Sequence, residues 1–437
     1  MRLRFVAIVA VVGGVGLPAV AVANPYEVKK LQVISGPSPF AAGCPGAALD
    51  ETRIAGAEIE PAITVNPAHP RNIVATWQQD VGRGAARSDL IGTSRDGGKT
   101  WKRVTIPGLS RCTGGSADVA TDPWLSAGPD GSVYFSGAAI FLTSDPPPAV
   151  LVASRSHDRG RRWSAPVTFA GPSVRVEREV VTADPTRPGH AYVVWWERDA
   201  LMPCIGSTHQ FARTTDGGAT WSAPATLDTA PSGALDQSAE ILVLPNGSLL
   251  ALIARLQLEG AGAVQQLFAV RSQDQGRNWS APVQVASQPV APIPDPETGD
   301  ALPNQDLTFH SAAIAPDGTV YVAWDRDSTA TTGTIDIVKS SDGGRSWAPR
   351  HRFPASPPSR SSRRSPSIGV ARSESSGTTT ATIVSVTPRG RPMSGLRTPP
   401  TAVARGARLT SPDHSTSGPH RGPPATSDSA STRGWRG

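Results

Sequence analysis

Acidic and basic residues recur at matching places along this 437-residue chain, although only 18% of it is charged. The spacing Trp-x-x-Asp appears at Trp77 to Asp80, Trp196 to Asp199 and Trp324 to Asp327. Charged neighbours accompany two of these, in Glu197-Arg198-Asp199 and Asp325-Arg326-Asp327, and Arg255 ends an equivalent apolar stretch. Ahead of other apolar stretches stand Glu60, Glu177-Arg178-Glu179, Asp236, Glu240 and Asp306. Carboxylates brought together can donate a proton, accept one, or attack an electrophilic carbon. Arginine adds a planar fork that holds a carboxylate through two hydrogen bonds. Gathered on one face, such a set suits a sugar site; scattered, the same charges only solvate loop ends.

The elements that must position them are set by a pattern that returns five times, Ser/Thr-x-Asp-x-Gly-x-x-Trp. The copies are Ser94 to Trp101, Ser156 to Trp163, Thr214 to Trp221, Ser272 to Trp279 and Ser340 to Trp347. Their aspartates stand 62, 58, 58 and 68 residues apart, room for one four-stranded sheet per copy. Within a copy, Asp and Ser or Thr bond backbone N–H groups of a tight turn, and Gly supplies positive φ. The Trp then leaves the turn and buries its ring against a neighbouring sheet. Between copies lie short apolar strands punctuated by Pro, Asp, Asn and Gly, as in Pro129-Asp-Gly, Pro245-Asn-Gly and Pro316-Asp-Gly. That alternation is a β-meander signature. In such a meander the repeated turn joins the third strand to the fourth. The charged residues before first strands and after second strands therefore collect on the opposite face.

These repeats are Asp-boxes, or BNR repeats, and the chain resembles the sialidase-like Asp-box propellers over roughly residues 55 to 370. The resemblance implies an all-β, six-bladed β-propeller with five blades intact. It implies Asp89 as acid/base, with Asp80 in reserve, and Glu240 supporting a nucleophilic step. Arg255 resembles the second of three substrate-gripping arginines, and Arg326 could stand for the third; Arg198, Asp199, Asp327 and Glu60 complete the binding set. The chain departs from the family at two places. Ile59-Glu60-Pro61-Ala62 stands where a Phe/Tyr-Arg-Ile-Pro motif is expected, without the arginine. No tyrosine lies in residues 348–370, where a nucleophile is expected, and Tyr134, Tyr192 and Tyr321 read as core. His310 reads as structural. Two readings stay open: an exo-sialidase-like glycoside hydrolase, or a non-catalytic propeller that binds glycan or protein through the same face. The expected partner is an extracellular glycan or glycoprotein, with no metal or cofactor and a monomeric chain.

Residues 1–23 read as a secretory signal, with Arg2 and Arg4, an apolar run and Ala21-Val22-Ala23, which predicts a secreted protein. An extension over 24–54 follows, and no later segment is apolar for long enough to span a bilayer. Cys44, Cys112 and Cys204 allow at most one disulfide. The formal charge of +6 is uneven, because residues 351–437 hold thirteen Arg and three acidic residues. The repeat region is itself mildly acidic, which argues against nucleic acid as partner.

A sixth unit starts at Ser365-Pro-Ser-Ile-Gly-Val and stops; residues 371–437 read as a basic Ser/Thr/Pro/Arg tail. Restarting each codon at its third base, Met393 to Gly406 permit VWLAHSTDGGRAW, a strand and an Asp-box about 59 positions after Asp342. The expectation is a frame slip near residues 371–375 and a sixth blade in the intact protein.

Overall fold

The computed structural model describes residues 26–27, 32–40, 44, 54–82, 86–143, 146–173, 176–197, 207–259, 262–290, 310–326, 334–353, 382–383 and 387–388. The signal segment, Cys204 and residues 354–381 lie outside the described residues, as does the tail apart from two short pairings. Tyr26–Glu27 pairs with Thr387–Pro388, and Gln32–Val33 with Thr382–Ile383.

The rest is five antiparallel four-stranded meanders. Sheet I comprises Glu58–Val65, Ile73–Val81, Ala86–Ser94 and Lys102–Thr105, and sheet II Val119–Ala127, Val133–Ile140, Ala149–Ser156 and Val167–Ser173. Sheet III comprises Val176–Ala183, Ala191–Glu197, Thr208–Thr214 and Ala225–Thr229. Sheet IV comprises Ala234–Val243, Leu249–Glu259, Gly262–Ser272 and Val283–Pro289, and sheet V His310–Ile314, Val320–Arg326, Thr334–Ser340 and His351–Phe353. A single bridge, Ala86 to Ala120, links sheets I and II.

Alternation along the strands explains how the sheets stack. Leu249, Ala251 and Ile253 face sheet III, while Leu250, Leu252 and Ala254 face sheet V. Sheets I and II meet through Val74, Ile91, Val133 and Phe135, and sheets II and III through Leu151, Ala153, Val193 and Trp195. The free side of sheet I is partly covered by the N-terminal extension, where Ile34 and Phe40 pack on Ala75, Trp77 and Leu90. A Cys44–Cys112 disulfide ties that extension to the chain.

Every Asp-box closes as its residue types dictate. In the third, Thr214 Oγ1 accepts from Gly218 N at 2.9 Å, and Asp216 Oδ1 accepts from the N–H groups of Ala219 and Thr220 at 2.9 and 3.0 Å. The side chain and N–H of Asn278 hold Asp274 at about 2. For Asp96, desolvation pushes upward, but the bonds from Thr100, Ser94 and Lys99 together outweigh it and bring the group to about 2.

From the second on, each box also plugs into the sheet before it. A Cβ on Gly160, Gly218 or Gly344 would meet Val74, Tyr134 or Leu250 of the preceding sheet at 3.0, 3.3 and 2.6 Å. Gly276 is tightest, since its Cβ would fall 2.3 Å from the Phe211 ring at φ +81°. The tryptophans follow: Trp221 lies 5.6 Å from Phe169 and Trp279 lies 5.3 Å from Phe211. Gly276→Ala is therefore expected to cost about 1–3 kcal/mol through overpacking alone. Thermal unfolding measures this, and a variant as stable as its parent would show that ring and turn separate freely.

Two of the three tyrosines read as core are core. Tyr134 is 1% exposed, and Tyr192 is fully buried with its hydroxyl on Asp184 Oδ2 at 2.8 Å. Tyr321 departs from that reading: it is 42% exposed. It points away from sheet IV, on the side of sheet V that no described residue covers.

Candidate functional site

The inner strands of sheets I to IV each open with a register break, between Ile59 and Ala62, Thr121 and Trp124, Glu177 and Val180, and Asp236 and Ala239. In the first three the extra residue is a non-glycine at positive φ: Glu60 at 51°, Asp122 at 55° and Arg178 at 60°. Such bulges bend a strand and re-aim a side chain, and the left-handed conformation costs each residue about 1–3 kcal/mol. Here they turn acidic side chains toward one another at the end of the sheets opposite the Asp-boxes.

Hydrogen bonds knit the result across sheets. Gln78 Nε2 donates to Glu60 Oε2 at 2.9 Å and to Thr121 Oγ1 at 2.8 Å, and Thr121 Oγ1 donates to Asp122 Oδ1 at 2.8 Å. Asp122 in turn shares a side-chain hydrogen bond with Glu177. Below them lie Asp89, fully buried, and Glu179, 1% exposed. Neither carboxyl makes a hydrogen bond among the described residues.

Electrostatics follow from this crowding. Desolvation, then the charge of Asp122, then that of Glu60 push Asp89 well above the usual carboxylate range. Glu179 is raised in the same way by desolvation and by Asp122, Glu177 and Asp89. Glu177 is an exposed residue whose carboxyl is nonetheless crowded; desolvation and Asp122 push it up to about 8, against the opposing charge of Arg178. Burial thus favours the neutral form of two of these acids, while the third is the one that reaches solvent.

A second cluster joins sheets III and IV. Arg255, 5% exposed, donates from Nε to Asp236 Oδ1 at 3.0 Å and from Nη2 to Asp228 Oδ2. Desolvation raises Asp236 to about 6 even so, with Arg255 pulling the other way. His209 Nδ1 lies 3.5 Å from Asp236 Oδ2, but burial drives the imidazole down to about 3, so the contact is not an ion pair. His209, Asp228 and Asp236 place one ligand atom each within 4.8 Å of one another, which suits a divalent cation on distance alone. The guanidinium already bonded to both carboxylates supplies the positive charge there. Nearby, His310 Nε2 stands 3.5 Å from Glu240 Oε1. Burial holds His310 down at about 4 and raises Glu240 to about 7.

These shifts oppose those of the Asp-boxes in their effect on stability. Depressed carboxylates such as Asp274 stabilise the fold above their unfolded value near 4, and that contribution is lost as pH falls through about 2. Raised ones such as Glu240 and Glu177 bind more protons folded than unfolded, so stability falls as pH climbs from about 4 toward 7 and 8. The melting temperature is expected to peak in mild acid. A scan from pH 2 to 9 that instead rose monotonically would contradict the buried acids.

Of the residues singled out from sequence, Asp89 and Glu60 join the carboxylate cluster, and Glu240 lies with His310. Asp80 does not join them. It is fully buried, accepting from Ser38 Oγ at 2.6 Å and Gly56 N at 2.8 Å, with Arg87 at 3.5 Å. Its φ of 59° turns the carboxylate toward the N-terminal extension, so it clamps that segment rather than meeting a substrate. Arg255 is likewise committed to two aspartates. Arg198, Asp199, Asp327 and Asp306 lie outside the described residues, as does the side chain of Arg326.

Sequence reasoning passed over Asp122, Trp124, His209 and Asp228. Asp122-Pro123 occupies the place in sheet II that Glu60-Pro61 occupies in sheet I, a signal available by aligning the repeats. Trp124, two residues further along the same strand, is 41% exposed.

No family model matches the chain, and no curated protein matches it. Among solved structures it is similar to the α-L-arabinanase of Penicillium chrysogenum complexed with arabinobiose, at 18% identity and a TM-score of 0.50, covering 76% of this chain and 86% of that one. A Dyadobacter fermentans protein of unknown function matches at 15% identity and a TM-score of 0.49, over 76% of this chain and 88% of that one. The intramolecular trans-sialidase of Ruminococcus gnavus matches at 15% identity and 0.43, over 72% and 86%. At such identity the arabinanase likeness is one of fold alone: the chain is all-β, with a propeller architecture.

Proposed function

We propose that this chain is a secreted glycoside hydrolase acting on an uncharged sugar of an extracellular glycan, with Glu177 as proton donor. The observation that carries the reading is the hydrogen-bonded Asp122–Glu177 pair, in which desolvation first and then Asp122 lift a solvent-reaching acid to about 8. The two working carboxyls of a glycosidase stand about 5 Å or more apart, so a directly bonded pair cannot be both. Asp122 is therefore a positioning residue that keeps Glu177 protonated. Exposed Glu60 is the carboxylate left to activate water or attack the anomeric carbon. Exposed Trp124 offers an apolar face for a sugar ring.

An acidic sugar fits less well. The arginine matched to a carboxylate grip, Arg255, is already engaged by Asp228 and Asp236. The arabinanase to which the fold is similar is described with arabinobiose, an uncharged ligand. A panel of aryl glycosides tests the reading, with hydrolysis of an aryl arabinofuranoside or another neutral glycoside expected and an aryl sialoside left untouched. Silence across the panel, with glycans still retained on an array, would replace the enzyme by a glycan-binding propeller.

A further inference from the structure

The fifth sheet differs from the other four. Its Val320, Val322, Trp324 and Val338 pack on sheet IV, but the opposite face is bare of described residues. There Tyr321 is 42% and Ile335 41% exposed, and exposed Ser311 and Ala313 pair beside Tyr321 and Ala323. At the other end of the series, Ile63 and Val65 of sheet I are 47% and 53% exposed. The two-residue pairings of 382–383 and 387–388 are with the N-terminal segment and not with a strand of sheet V.

The rule by which sheets join says what belongs there. From the second Asp-box on, the glycine two residues after the aspartate lies against the preceding sheet: Gly276 meets Phe211 of a third strand, and the other three meet second strands, Gly160 on Val74, Gly218 on Tyr134, Gly344 on Leu250. Those three second-strand acceptors are the second residue of the second strand in sheets I, II and IV. Tyr321 holds that position in sheet V. It is a socket of the same kind, and no described Asp-box fills it.

We infer that this face seats a sixth sheet, encoded by the same gene downstream of residue 370 in a frame shifted from that of residues 371–437. The shifted codons of Met393 to Gly406 permit STDGGRAW, which carries the glycine and the tryptophan that each described joint uses, on the repeat period. The bare face and the shifted box are independent observations, one from packing and one from codons. Each calls for the other.

Sequencing the gene across codons 365–406, with peptide mapping of the natural protein, is the first test. A one-base slip and peptides ending in the Asp-box tryptophan are expected. An unbroken frame, with tail peptides recovered, overturns the inference, whether the chain is then monomeric or pairs with a second copy through Tyr321. The second test is Tyr321→Arg in both full-length proteins. It is expected to be silent in the chain with the basic tail and to lower the melting temperature of the frame-restored chain by about 5 °C. Silence in both would place the sixth sheet elsewhere and overturn the seat. Neither outcome depends on glycoside hydrolysis, so the inference and the proposed activity fail separately.

Discussion

Replacing Glu177 with Gln is expected to lower kcat on a neutral aryl glycoside by about 10²–10⁴-fold, the usual worth of a positioned proton donor, while the melting temperature holds. Glu177 is an exposed residue rather than a core one, so its loss removes a proton and little packing. The pH profile is the more discriminating readout. With a donor at about 8, activity should persist through neutrality and fall on an alkaline limb near that value. Asp122→Asn removes the charge that helps hold the proton, so the limb should move toward acid with Glu177 intact. A limb that stayed in place would show that Asp122 does not tune the donor. An unchanged kcat in the Glu177→Gln variant would remove Glu177 from the mechanism.

The second large effect concerns stability. Arg255→Ala should cost about 3–5 kcal/mol near neutral pH, because it strands Asp236 and Asp228 in a site from which water is largely excluded. It also removes the guanidinium from over the Phe268 ring, 5.3 Å from the centroid. The penalty has a predictable sign with pH. Asp236 already sits at about 6, and without the cation it rises further, so acidification lets it protonate and relieves the loss. Denaturant unfolding of the variant at pH 5 and pH 8 measures the difference. A substrate-gripping arginine would behave oppositely, raising KM and leaving stability unchanged.

The architecture was legible because its signals are local. An Asp-box needs only eight consecutive residues, and the bonds from Gly218 to Thr214 and from Ala219 and Thr220 to Asp216 are those the residue types demand. The site was less legible because it is assembled across sheets. Asp89, Asp122 and Glu177 belong to three different meanders, and nothing in their sequence separation announces that they share one field. Asp80 shows the converse. Its Trp-x-x-Asp spacing matches that of Asp199 and Asp327, yet a positive φ and a passing N-terminal segment convert it from candidate catalyst to clamp. Arg255 was found at the right place with the wrong partners, since Asp228 reaches it from a strand 27 residues earlier.

The plug-and-socket joint between sheets has an evolutionary consequence. Each unit of about 60 residues carries a plug in its last hairpin, and a socket for the next plug in its second strand in sheets I, II and IV or in its third strand, at Phe211, in sheet III. Duplicating one unit by recombination therefore duplicates both halves of the contact, and the new copy mates on either side without further substitution. Rings of different size can arise by such duplication, with only the angle between sheets to adjust. A unit without a following neighbour shows its socket position to water, as Tyr321 of sheet V is 42% exposed among the described residues.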